Sequence, residues 1–199
     1  MNFFRCFLPA LLLIAACGSD PEIKQESKKQ TVETVSDSLQ FAAFYKSFDA
    51  DIRNEVGLDE LKKYVNTEQG LWIIDANGAM PRFTHYTLLN MAALSNGIKI
   101  VQINNTPCKL LFDTLPVVDC DKPALYSKDG CFAEKINIFA QQKIWLAAEL
   151  KTEEQTAIEK LANTIDYTVI QTSGFRYYFS KNGNNWFISF IDIRRPCEA

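Results

Sequence analysis

Phe175-Arg176-Tyr177-Tyr178-Phe179-Ser180-Lys181-Asn182-Gly183-Asn184-Asn185-Trp186-Phe187-Ile188-Ser189-Phe190-Ile191-Asp192-Ile193 decides the fold class. Aromatic and β-branched residues fill both flanks, and such side chains suit a pleated, half-buried surface. Asn182-Gly183-Asn184 interrupts them with residues that enter tight hairpin turns at little steric cost. Phe175–Ser180 is therefore expected as one strand and Trp186–Ile193 as its return. Asp166–Thr172, set off by Gly174, supplies a third strand before them. Paired strands need cover on one face to be stable in water, and the helical segments upstream supply it. The expectation is an α+β domain with an antiparallel sheet that ends in a long C-terminal hairpin. Alternation puts Tyr177 and Phe179 on one face and Tyr178 on the other. One set is read as core and the other as exposed or covered by a partner.

Working outward, Leu39, Phe41, Ala42, Phe44, Tyr45, Phe48 and Ile52 recur at helical spacing, which predicts an amphipathic helix over 38–54, broken by Gly57. Residues 58–65 read as a second, short helix with Leu58, Leu61, Tyr64 and Val65 inward. After a turn at Gln69-Gly70, Leu71–Asp75 reads as a buried strand. Asn77-Gly78 and Pro81 mark a loop, and residues 82–88 fit strand or helix. A short helix over 87–94, ended at Asn96-Gly97, and a strand over 98–103 follow. Residues 110–118 are partly extended, and 132–145 fit either class. The next helix is expected to start at a Thr152 cap, with Glu153 and Glu154 in its positive first turn and Ile158, Leu161 and Ala162 on its inner face.

The other end of the chain speaks of location. Arg5 and the amino terminus form a short basic region, and Phe7–Ile14 is an apolar run of about eight residues, too short to span a membrane that needs roughly 20. Ile14-Ala15-Ala16-Cys17 resembles the bacterial lipobox, whose small residues let a peptidase hold the backbone extended. The resemblance implies that residues 1–16 are a signal peptide and that Cys17 is the lipidated first residue of the mature chain. More than one acyl chain gives stable anchoring. Gly18, where some lipoproteins carry a retaining Asp, points to the outer membrane, facing the periplasm or the surface. Residues 17–38 then read as the lipidated cysteine and a flexible tether with few apolar residues, and 39–199 as a single globular domain.

The chain has 21 basic and 24 acidic side chains, and loss of Arg5 leaves 20 basic. That mild negative balance excludes nucleic acid as a partner on electrostatic grounds. Cys108, Cys120, Cys131 and Cys197 remain after the signal region, an even number expected to form disulfides in an oxidising compartment. The turn-rich stretch between Cys120 and Cys131 favours a local staple there, with Cys108–Cys197 as the second bridge. No C-x-x-C spacing exists and His85 is the single histidine, so no metal or cofactor is implied.

His85 must serve any mechanism that needs an imidazole, and no phosphate-cradling glycine loop or nucleophile motif accompanies it. Asp49 with Asp51, and Asp119 with Asp121, are acid pairs in local turn or helix settings. Trp72, Trp186 and Tyr178, with His85, are the residues expected to line a sugar or hydrophobic pocket. Helices followed by a sheet ending in the run Tyr178–Ile188 resemble the cone-shaped fold named after nuclear transport factor 2, which implies a curved sheet around a pocket. The settings Asp119-Cys120-Asp121 and Lys128-Asp129-Gly130-Cys131 are similar to those of small Bacteroidota envelope lipoproteins. Asp37-Ser38-Leu39 and Asp113-Thr114-Leu115 look like the O-glycosylation motif of such proteins, with Ser38, at the tether end, the better acceptor. The functional expectation is a non-catalytic, lipid-anchored domain that binds a ligand or protein partner. The alternatives are a ligand-binding or enzymatic pocket and a structural envelope component.

Overall fold

The computed structural model describes residues 23–54, 58–89 and 107–197. The chain divides into two compact units, Met1–Asp37 and Ser38–Ala199. Helix α1 (Ile23–Arg53) begins in the first unit, and its residues from Ser38 onward belong to the second, as does the short helix α2 (Leu58–Leu61). The stretch read as a structureless tether is thus helical from Ile23. Lys, Glu and Gln dominate it, and these straight-chain residues are good helix formers. Cys17 and the signal region lie outside the described residues, as do the strand expected over 98–103 and most of the helix over 87–94.

Among the described residues the second unit has seven strands: β1 (Leu71–Asn77), β2 (Met80–Tyr86), β3 (Leu110–Phe112), β4 (Cys131–Glu134), β5 (Ile165–Gln171), β6 (Arg176–Asn182) and β7 (Asn185–Asp192). They form one open sheet in the order β2-β1-β7-β6-β5-β4-β3. The β6–β7 hairpin stands where the sequence placed it, closed by Gly183 at φ +60° between the paired Asn182 and Asn185. A glycine first in a two-residue loop matches the right-handed twist of the strands it joins. The sheet is mixed, which corrects the expectation of a purely antiparallel one. β1 runs parallel to β7 (Trp72↔Phe190, Ile73↔Ile191, Ile74↔Asp192) and β3 parallel to β4. Hairpins make antiparallel neighbours only. Parallel neighbours come from strands joined by long connections, and alternation in sequence carries no direction.

Both faces of the sheet are buried, which corrects the reading that only one set of aromatics is core. On one face Tyr167, Val169, Tyr177, Phe179, Ile188 and Ile191 pack against Phe41, Tyr45, Phe48 and Ile52 of α1. Phe41 stacks on Tyr167 at 4.2 Å. On the other face Trp72, Ile74, Tyr178 and Phe190 meet Phe139 of α3 (Ile138–Gln142), Trp145 of the 3-10 turn Ile144–Ala147, and Ile158, Leu161 and Ala162 of α4 (Thr152–Ala162). Strict alternation on β7 fails once. A register shift beside Phe179 lets Ile188 and Ile191 face α1 while Phe190 faces α3. Such bulges bend and twist a strand, and here buried Ser189 fills the slip with a 2.6 Å hydroxyl contact to Ser180.

The ambiguous run 132–145 resolves into β4, α3 and the 3-10 turn. Helix α4 has the expected inner face, but Lys151 rather than Thr152 is its N-cap. Glu154 reaches back to accept the Lys151 N–H at 3.0 Å. All four cysteines among the described residues are bridged, as Cys108–Cys131 and Cys120–Cys197. This overturns the local pairing Cys120–Cys131. Parallel pairing sets Leu110 opposite Cys131 and so carries Cys108 to it. Two disulfides fit an oxidising, extracytoplasmic compartment. Among the described residues, no helix is long and apolar enough to cross a membrane.

Candidate functional site

Between the first hairpin and α4 lies a cleft of about 490 Å³, lined by Glu68, Gln69, Trp72, His85, Glu153, Glu154, Ala157, Lys160 and Leu161. That volume is in the range of small-molecule sites. Its floor follows from strand register. Trp72 on β1 and His85 on β2 are direct cross-strand partners, and their rings meet at 4.7 Å. Trp72 is almost wholly buried and His85 is exposed, so the indole holds the imidazole at the edge of the core.

The turn before β1 fixes the imidazole from the other side. Asn66 Oδ1 accepts from the N–H of Glu68 at 2.9 Å, and the Asn66 carbonyl accepts from Gly70 at 2.7 Å. That turn presents the Gln69 carbonyl 3.0 Å from His85 Nε2. The carbonyl oxygen can only accept, so Nε2 is the donor of this contact. Gly70 has φ +67°, and a Cβ there would stand 2.4 Å from His85 Nε2. Only glycine admits the imidazole so close to the backbone.

The opposite wall is the outer stripe of α4, where Glu153, Glu154, Ala157, Lys160 and Leu161 recur at three- and four-residue spacing. The two glutamates sit in the first turn of the helix, at the positive end of its dipole, and Lys160 lies in the last turn. The cleft therefore combines an aromatic floor, carboxylate acceptors, an amide, an ammonium and one imidazole. Such a set can hydrogen-bond a hydroxyl-rich ligand from several sides.

The four residues expected to share a pocket are split by strand parity. Trp72 and His85 meet in the cleft. Tyr178 is fully buried deeper on the same face, its ring 5.0 Å from Phe139. Trp186 lies on the opposite face, 5.0 Å from Phe41, and borders a broad groove of about 910 Å³ beside Phe44, Lys63 and Tyr64. Ser38, the favoured glycosylation acceptor, sits half-buried within α1, whereas Thr114 is exposed.

The acid pairs are structural. Asp49 is buried and bonded to Arg53 and Gln171, and Asp119 accepts the Asp121 N–H at 3.2 Å within its turn. Asp51 accepts from Tyr64 at 2.6 Å and pairs with Lys63 at 2.8 Å, and these hydrogen bonds hold its carboxyl below the usual range. No cluster of three or more metal-ligating side chains occurs among the described residues. Sequence reasoning missed Glu68, Gln69 and Lys160 as lining residues. The α4 stripe was visible as periodicity, but which wall it faced was not. No protein-family model, curated protein or solved structure matches this chain.

Proposed function

We propose that this protein is a lipid-anchored binding module of the bacterial envelope, and that the ligand is a small saccharide held in the Trp72–His85 cleft. The observation that carries the reading is the cleft itself. It sets the chain's single imidazole against an indole, opposite a wall of carboxylates and one ammonium. Sugars are bound by such pairings of an aromatic surface with bidentate polar groups. Binding is favoured over turnover because the four cysteines among the described residues are bridged and His85 Nε2 already faces a backbone carbonyl. The lipobox-like Ile14-Ala15-Ala16-Cys17 and the two disulfides support the anchor and the compartment.

Titration of the full chain with glucose, N-acetylglucosamine and their disaccharides, followed by calorimetry and tryptophan fluorescence, tests the ligand. Saturable heat is expected, weakened about tenfold in His85→Ala and in Glu153→Gln, since each removes one charge-assisted or neutral hydrogen bond. Both side chains are exposed, so the melting temperature should hold. No heat, or heat indifferent to both substitutions, would overturn the reading. The intact mass of protein taken from its native membrane tests the anchor. A chain that starts at an unmodified residue removes it.

A further inference from the structure

We propose that a second cavity, where the β1–β2 turn meets the chain leaving β7, binds a phosphate group, free or esterified. Its volume is about 310 Å³, and Arg176, Arg194 and Arg195 line it together with small residues such as Ala76, Gly78 and Ala79. The chain has six arginines, and half of them converge here. Arginine's planar fork of donors matches the oxygens of a phosphate, which a lysine would meet only as a point charge.

The local charge is unbalanced without counting Arg195. Asp192, only 1% exposed, is the carboxylate that meets Arg176 and Arg194. It is committed to Arg194, whose Nε and Nη2 donate to its two oxygens at 2.8 Å each, and whose backbone N–H donates at 3.1 Å. Arg176 Nη1 stands off at 3.8 Å from the same carboxylate. Its Nε is buried with no hydrogen-bond acceptor among the described residues. Two guanidinium groups thus share one carboxylate at the cavity wall, and burying an unmatched cation costs several kcal/mol in general. The nearby Arg82 does not add to the surplus, because it is spent on Asp75 across the β1–β2 pair. A bound oxyanion supplies the missing charge and the missing acceptor together. Gly78 leaves the mouth open, since a Cβ there would meet nothing within 4 Å.

Calorimetry of the full chain with inorganic phosphate, at constant ionic strength, is the test. Saturable binding is expected, reduced about tenfold in Arg176→Lys, which keeps the charge and loses the fork. Arg195→Ala should also weaken it, and Lys46→Ala, exposed on α1 and outside the cavity lining, should not. Circular dichroism melts establish that each variant is folded, and Arg195→Ala decides the matter if Arg176→Lys is not. Glycerol 3-phosphate and glycerophosphoglycerol, run beside phosphate, separate the sources. Tighter binding of the glycerol esters assigns the site to a lipid headgroup, and tighter binding of phosphate to the free ion. Absence of heat from all three probes, or equal loss in Lys46→Ala and Arg195→Ala, would overturn the proposal.

Discussion

Gly70 and Gly183 both sit at positive φ, yet they carry different constraints. At Gly183 a Cβ would meet nothing within 4 Å, so the penalty for alanine is conformational alone, about 1 kcal/mol. At Gly70 the Cβ would stand 2.4 Å from His85 Nε2 and 2.6 Å from the Tyr86 carbonyl. The backbone oxygen cannot swing aside. Gly70→Ala should therefore cost about 2–3 kcal/mol, combining steric clash with strain at a left-handed position. It should also displace His85 and weaken any ligand of the cleft. Urea melts of the two variants compare them directly, and equal losses would show that the imidazole does not press on Gly70. From sequence, Gln69-Gly70 was legible as a turn. That the turn cradles a histidine fifteen residues further on was not, because the contact is made by cross-strand register.

Among the elements, α1 has the largest aromatic investment. Phe41 is fully buried, stacked on Tyr167 and in edge contact with Phe179 at 5.3 Å and Trp186 at 5.0 Å. Its helical spacing with Tyr45, Phe48 and Ile52 identified the inner face before any fold was known. Phe41→Ala empties a site walled by strands that cannot close onto it, so the expected loss is about 3–5 kcal/mol. The measurement is the urea midpoint at unchanged slope. A loss under about 1 kcal/mol would mean that the α1 layer is not packed against the sheet as described. Helix α4 shows the complementary case. Its inner residues were read correctly, and its boundary was off by one because Lys151 takes the extended cap conformation while Glu154 satisfies its N–H.

For the molecule as a whole, three fully buried tyrosines link stability to alkaline pH. Burial pushes the hydroxyls of Tyr45, Tyr177 and Tyr178 well above their ordinary value of 10.0, with nearby carboxylates adding to the effect. The folded chain keeps these protons where the unfolded chain would release them. Their contribution is therefore complete below pH 10 and is lost as pH rises beyond it. Cooperative unfolding above about pH 10 is expected, with tyrosine ionisation and loss of near-ultraviolet dichroism in one transition. Gradual ionisation at pH 10 with the fold intact would mean that these hydroxyls are not sealed in the two layers. The same sealing covers both faces of the open sheet. α1 covers one side, and α3 with α4 covers the other.

The sequence by itself determined the C-terminal hairpin, the inner faces of α1 and α4, and the bridging of four cysteines. Each of these is encoded by spacing within a short segment, where burial of one residue constrains its near neighbours. Tertiary structure alone decided the parallel seams at β1–β7 and β3–β4, the disulfide partners, and the cover on both faces. It also decided which of the chosen aromatics meet. Trp72 and His85 are brought together by pairing across a hairpin, while Trp186 and Tyr178 are sent to opposite sides by strand parity and a bulge. The arginine cavity is of the same kind. Arg176 and Arg194 lie eighteen residues apart, and Asp192 joins them only once β6 and β7 are paired. Partner choice between distant segments follows from how whole surfaces fit, and no local period in the chain carries that information.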